Sequence, residues 1–108
     1  MNILFICSAN KQRSKTAEDY FAQKYPDHEF SSAGTNIKIC RQEGTTELTE
    51  DLLRWADRIF VMEKKHLDQI QKHTGSTYYS KITVLYILDV YNYYDPALLK
   101  VLEEKIAL

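Results

Sequence analysis

The chain opens on an unbroken apolar run, Ile3-Leu4-Phe5-Ile6, rich in β-branched and aromatic residues. A strand that is apolar at every position, and not at every second one, is buried on both faces, as the central strands of parallel sheets are. From Ser14 to Tyr25 the apolar positions Ala17, Tyr20, Phe21 and Tyr25 recur at steps of three and four, which predicts a helix with one apolar face, stopped by Pro26. His28 to Ser32 reads as a second strand, with the turn Ser32-Ala33-Gly34-Thr35 leading out of it, and Asn36 to Thr46 reads as irregular. Thr49 to Ala56 is a short helix with Thr49 as cap and Glu50 and Asp51 in its first turn, where they favour the helix dipole. Asp57 to Met62 is a third strand, Glu63 to His73 a helix broken at Gly75, and Ile82 to Leu88 a fourth, strongly apolar strand. Asp95-Pro96 opens the terminal helix, with Asp as N-cap and Pro at the first helical position.

Strands that alternate with helices require crossover connections and hence a parallel sheet with helices on both faces. Composition is consistent with this: among 108 residues 44% are hydrophobic and 27% charged, with three Gly and two Pro, which describes a folded chain and not a disordered one. The net charge of −1, with basic and acidic residues interspersed, excludes the basic stripe that nucleic-acid backbones demand. The first apolar run is too short for a membrane span and has no basic flank, so no membrane partner and a cytoplasmic location are expected. Two cysteines, Cys7 and Cys40, make neither a metal-ligand spacing nor a disulfide framework.

Between the first strand and the first helix lies Cys7-Ser8-Ala9-Asn10-Lys11-Gln12-Arg13-Ser14, at the carboxyl end of a parallel strand, where open α/β sheets bind ligands. A loop entering a helix presents unpaired backbone N–H groups and the positive end of the helix dipole, which together make an anion site. Arg13 adds a planar fork able to grip two phosphate oxygens, and five intervening residues let the loop curl so that Arg13 and Cys7 face one centre. The helix terminus, Arg13 and the Ser14 hydroxyl all favour thiolate over thiol at Cys7, and a thiolate is a nucleophile. Cys40, in the irregular segment beside Arg41, reads as structural, with a redox partnership to Cys7 as the alternative. Lys11 and Lys15 flank the loop and read as solvated surface charges, with a raised local positive potential for a dianionic substrate as the alternative. His28, His66 and His73 have no mutual metal spacing, and no catalytic role is expected of them.

Cys7, the five residues after it, Arg13 and Ser14 resemble the phosphate-binding loop of the low-molecular-weight protein tyrosine phosphatases. Further segments match in order: Ser32-Ala33-Gly34-Thr35 is similar to that family's turn after its second strand, Leu48 to Leu53 to its next helix, and Ile59 to Glu63 to its third strand and acidic exit. The chain departs from the family in having Ala9 where a glycine is common, and in a segment after Thr35 cut down to Asn36–Gly44, where relatives carry a substrate-facing loop and another helical segment. The resemblance implies one α/β domain over residues 1–108, three-layered, with a four-stranded parallel sheet in the order 2-1-3-4. It also implies a phosphatase acting on a phosphotyrosine-containing protein or a small aryl phosphate, as a monomer, with no metal or organic cofactor. Cys7 would be the nucleophile and Arg13 the phosphate clamp. Ser8, Ala9, Asn10, Lys11, Gln12 and Ser14 would surround the phosphate, with Asn10 holding the loop in a left-handed turn.

An acid must protonate the leaving oxygen, and two aspartates compete for the role. Asp95 is accounted for by capping, whereas Asp89 follows the last strand at the carboxyl edge of the sheet, and an ungapped match to the family puts Asp89 on its acid. The same match puts Tyr91 on an aromatic wall that favours an aryl phosphate. Three other readings stay open: a phosphoprotein-binding module without turnover, an arsenate reductase, whose relay looks for a downstream cysteine pair where only Cys40 exists, and a phosphocysteine carrier, whose loop lacks an arginine like Arg13.

Overall fold

Strand β1 (Asn2–Cys7) lies at the centre of a four-stranded parallel sheet, with β2 (Glu29–Gly34) on one side, β3 (Arg58–Val61) on the other and β4 (Ile82–Val84) beyond β3, in the order β2-β1-β3-β4. The computed structural model describes residues 1–108. Ile3, Leu4, Phe5 and Ile6 are all fully buried, which is what the unbroken apolar run requires. The strand period of two divides them. Ile3, Phe5 and Cys7 pack with Phe21 of helix α1 (Arg13–Lys24) and with Leu98 and Leu102 of helix α5 (Pro96–Lys105). Leu4 and Ile6 pack with Leu53 of α3 (Glu50–Trp55) and Ile70 of α4 (Lys64–Thr74). Three layers result, with β1 as the floor common to both cores.

The local signals at helix ends act as read. The Thr49 side chain accepts a hydrogen bond from the Leu52 N–H, and Asp95 accepts from the Ala97 N–H at 2.9 Å with Pro96 in the first turn. Two expectations need correction. The stretch Asn36–Thr46 is not irregular: it contains helix α2 (Ile37–Glu43), capped by the Asn36 side chain on the Ile39 N–H and closed by Gly44 in the left-handed region at φ 70°. The helix is seven residues long and buries only Cys40, so no apolar face was visible in its pattern, and the chain has five α-helices and not four. The fourth strand is also shorter than Ile82–Leu88: pairing ends at Val84, and Tyr86 takes a left-handed conformation at φ 56°. Leu85 and Ile87 nevertheless stay buried, their N–H groups donating to Val61 O and Met62 O, so the apolar run past Val84 reports burial and not strand.

Gly34, at the end of β2, is where the fold meets the loop after β1. A Cβ there would lie 2.5 Å from Ser8 O and 2.5 Å from Cys40 Sγ, closer than atoms approach. Gly34 pairs with Cys7 in the sheet register, so absence of a side chain lets the loop fold back over β2. Gly34→Ala is expected to lose about 1–3 kcal/mol of stability in urea unfolding, the usual cost of overpacking; an unchanged midpoint would mean that the loop has room to retreat.

Candidate active site

After Cys7 the chain turns out of the sheet, and its carbonyls are tied outward one after another. Cys7 O accepts from the Thr35 N–H at 2.9 Å, Ser8 O from the Asn36 N–H at 2.9 Å, and Ala9 O from the Thr45 hydroxyl at 2.6 Å. The Cys40 thiol lies beneath, 3.8 Å from Ser8 O and 3.6 Å from Ala9 O. No peptide in the chain is cis. In a planar trans peptide the N–H points opposite to the carbonyl of the same unit, so fixing these carbonyls turns the N–H groups of Ser8, Ala9 and Asn10 the other way, toward the loop interior. None of the N–H groups of residues 8–12 has an acceptor within the protein. Converging free amides at the mouth of a helix are an anion-binding nest.

Asn10 makes the bend possible. It is buried, in the left-handed region at φ 54°, a conformation that asparagine tolerates better than most residues. Its side-chain oxygen accepts from the Thr46 N–H at 3.1 Å, which leaves its amide to donate to Ser14 Oγ at 2.9 Å. Ser14 Oγ is 2.9 Å from Cys7 Sγ. With the Asn10 amide donating to Ser14 Oγ, the Ser14 hydrogen is left free to be directed at the sulfur.

Arg13 is almost wholly buried, and its donors are divided. Nη1 gives 2.6 Å and 2.8 Å hydrogen bonds to Glu63 Oε2 and Ile87 O, which uses both of its hydrogens. Nε and Nη2 keep the other three, and the two that share the Nε–Nη2 edge can make a bidentate grip on an oxyanion. Burial raises the Glu63 carboxyl, but the hydrogen bond and charge of Arg13, with Lys65 and His66 beyond, outweigh it and hold the group below the usual carboxylate range. Asp89 stands at the rim, 63% exposed, with Oδ1 3.7 Å from Arg13 Nε.

Of the other residues expected around the site, Ser8 and Ala9 supply loop backbone, and Gln12 is the residue before the first turn of α1, where its side chain makes no cap. Lys11 is exposed and turned to Glu43 at 3.2 Å, at the end of α2. Lys15 pairs with Glu18 and Asp19. Tyr91 is half-buried against the core that contains Cys7. Asp95 is occupied as the cap of α5. Cys40 is not an isolated residue in a loop: it is fully buried on α2 under the site.

His66 is the residue that sequence reasoning passed over. It carries no expected role in the sequence, yet it is fully buried, with Nδ1 accepting the Glu63 N–H at 3.0 Å and Nε2 3.0 Å from Ser8 Oγ. The signal was present as a histidine at the third position of a helix whose cap residue is acidic, a capping-box arrangement. Burial pushes the imidazole down to about 4, and the nearby Arg13 charge acts in the same sense against the opposing Glu63 carboxylate.

No family model matches the chain. It is 31% identical over 86 residues to a putative low molecular weight protein-tyrosine-phosphatase of Klebsiella pneumoniae, a match covering 63% of this chain and 60% of that one. It is 30% identical over 93 residues to the low molecular weight protein-tyrosine-phosphatase PtpB of Staphylococcus aureus, covering 69% of this chain and 66% of the relative. The aligned stretch thus spans about 60% of the first relative's length. The solved structure of the Erwinia amylovora tyrosine phosphatase AmsI superposes with a TM-score of 0.75 at 26% identity, covering 96% of this chain and 87% of that one.

A folded-state pKa below the unfolded one makes stability pH-dependent. His66 is neutral in the fold down to about 4, whereas an unfolded histidine takes up a proton near 6.5, so stability is full above 6.5 and is lost as pH falls toward 4. Denaturant titrations are expected to show this slope, and His66→Gln to flatten it; parallel curves for the two proteins would contradict the burial of a neutral imidazole. With the sheet order, the loop geometry and these relatives in agreement, the chain belongs to the low-molecular-weight protein-tyrosine-phosphatase family.

Proposed function

We propose that the protein hydrolyses phosphotyrosine, in a protein or as a small aryl phosphate ester, in two steps through a phosphocysteine. The observation that carries the proposal is the nest of inward amides around Cys7, closed by the free edge of Arg13. Charge on the three non-bridging oxygens of a transferring phosphoryl group is met there by fixed donors that need no reorganisation. The Cys7 thiolate, held by Ser14, attacks phosphorus in line with the ester oxygen. Asp89 gives that oxygen a proton as the bond breaks, then takes one from water as water attacks the phosphocysteine, so the same carboxyl serves as acid and as base.

The choice of Asp89 over Asp95 is supported by position: Asp89 is at the rim beside Arg13, and Asp95 is spent on the α5 cap. An aryl leaving group is supported by the rim itself, where Leu88 and Val90, 66% and 70% exposed, flank Asp89 and Tyr91 follows. Amides and guanidinium supply the charge stabilisation without a metal. No helix is long and apolar enough to cross a membrane, and both cysteines are free thiols, the state a reducing compartment maintains.

Turnover of para-nitrophenyl phosphate is the direct test. Cys7→Ser is expected to abolish it with the fold intact by circular dichroism; residual turnover near the parent's would refute covalent catalysis at Cys7. Asp89→Ala is expected to slow turnover of poor leaving groups by on the order of 10²–10⁴, and a similar loss from Asp95→Ala with α5 still folded would move the acid there. A protein that binds phosphate but turns nothing over would be a phosphoprotein-binding module.

A further inference from the structure

Resting on the reading of the Cys7 loop as a phosphate site, we propose that His66 is a positioning residue that acts through Ser8, holding its side chain and leaving the Ser8 hydroxyl hydrogen to be donated to the bound phosphoryl group. The Glu63 N–H can only donate, so the imidazole Nδ1 that receives it at 3.0 Å carries no hydrogen. A neutral imidazole then has its hydrogen on Nε2, and the only partner of Nε2 is Ser8 Oγ at 3.0 Å. Ser8 must therefore accept from His66. A hydroxyl that accepts in this way keeps its own hydrogen for another group, and it has no acceptor within the protein.

Position makes the consequence local to the chemistry. Ser8 directly follows Cys7, and its carbonyl is fixed by the Asn36 N–H at 2.9 Å. Backbone and side chain of the first loop residue are thus held separately, the one by the cap residue of α2 and the other by α4. His66 also joins the two halves of the site: its ring accepts from the backbone of Glu63, whose carboxylate holds Arg13. Loop and clamp are set against each other through one side chain. Ser14 stands to Cys7 Sγ as Ser8 stands to the phosphoryl oxygens, each hydroxyl accepting from a side chain that leaves its own hydrogen free, Asn10 in one case and His66 in the other.

Two near-isosteric replacements separate this role from helix capping. Asn at position 66 retains an acceptor near Nδ1 for the Glu63 N–H but cannot reach Ser8, whereas Gln places an N–H near Nε2 and gives up the cap. Two measurements are made on each variant: kcat and KM for para-nitrophenyl phosphate, and the concentration of inorganic phosphate that protects Cys7 from alkylation by iodoacetate. His66→Gln is expected to stay within about threefold of the parent in both, and His66→Asn to lose roughly five- to tenfold, the size of one hydrogen bond. Ser8→Ala is expected to lose the same factor, with no further loss when His66→Asn is added. The reverse ranking, or an unimpaired Ser8→Ala, would overturn the proposal and leave His66 as a cap of α4. The protection measurement needs no turnover. A parent that is inactive toward the ester but shows the expected ranking in phosphate protection would refute the hydrolase reading and uphold this one; absence of protection in the parent would overturn both.

Discussion

Everything at the site depends on three carbonyls being held away from it. Cys7 O, Ser8 O and Ala9 O are bound by Thr35, Asn36 and Thr45, which lie along the exit from β2, at the start of α2 and just after it. Peptide planarity converts that outward restraint into inward N–H groups, so the anion site is produced by contacts on the far side of the loop. Gly34 is the permissive element, since any side chain there would strike Ser8 O. The struts of the amide nest therefore all come from one stretch, Thr35 to Thr45, which contains helix α2.

The second constraint is electrostatic. A guanidinium as buried as that of Arg13 needs a nearby anion and hydrogen-bond acceptors. Glu63 and the Ile87 carbonyl meet that need on one nitrogen and leave the opposite edge free. The ion pair thus has a directional effect: it decides which face of the fork is presented. His66 stays uncharged beside this pair because burial and Arg13 both oppose its protonation, and an uncharged imidazole is what can accept from Glu63 and donate to Ser8 at once.

Much of this was legible in the chain. The Ile3–Ile6 run located the central strand because burial on both faces leaves no polar position, and Cys7, Arg13 and Ser14 were recognisable because loop, helix start and residue types coincide within eight positions. Thr49 and Asp95 showed their caps directly. Three features were not legible for physical reasons. Helix α2 rests on one capping side chain and one buried residue, too little for a period to register. The extended stretch after Val84 keeps its apolar alternation while a left-handed Tyr86 breaks the pairing. Only half of the His66 environment is local: the Glu63 cap is three residues away, whereas Ser8 is 58 residues distant and leaves no trace in sequence spacing.

The central claim is that Cys7 becomes covalently phosphorylated and that Asp89 governs entry to and exit from that state. Rapid acid quench of Asp89→Ala during turnover of para-nitrophenyl phosphate, followed by peptide mass spectrometry, measures it directly. One phosphoryl group on the Cys7 peptide, building up faster than the product phosphate is released, is the predicted result. An unmodified Cys7 in protein that is still turning over substrate would contradict the account.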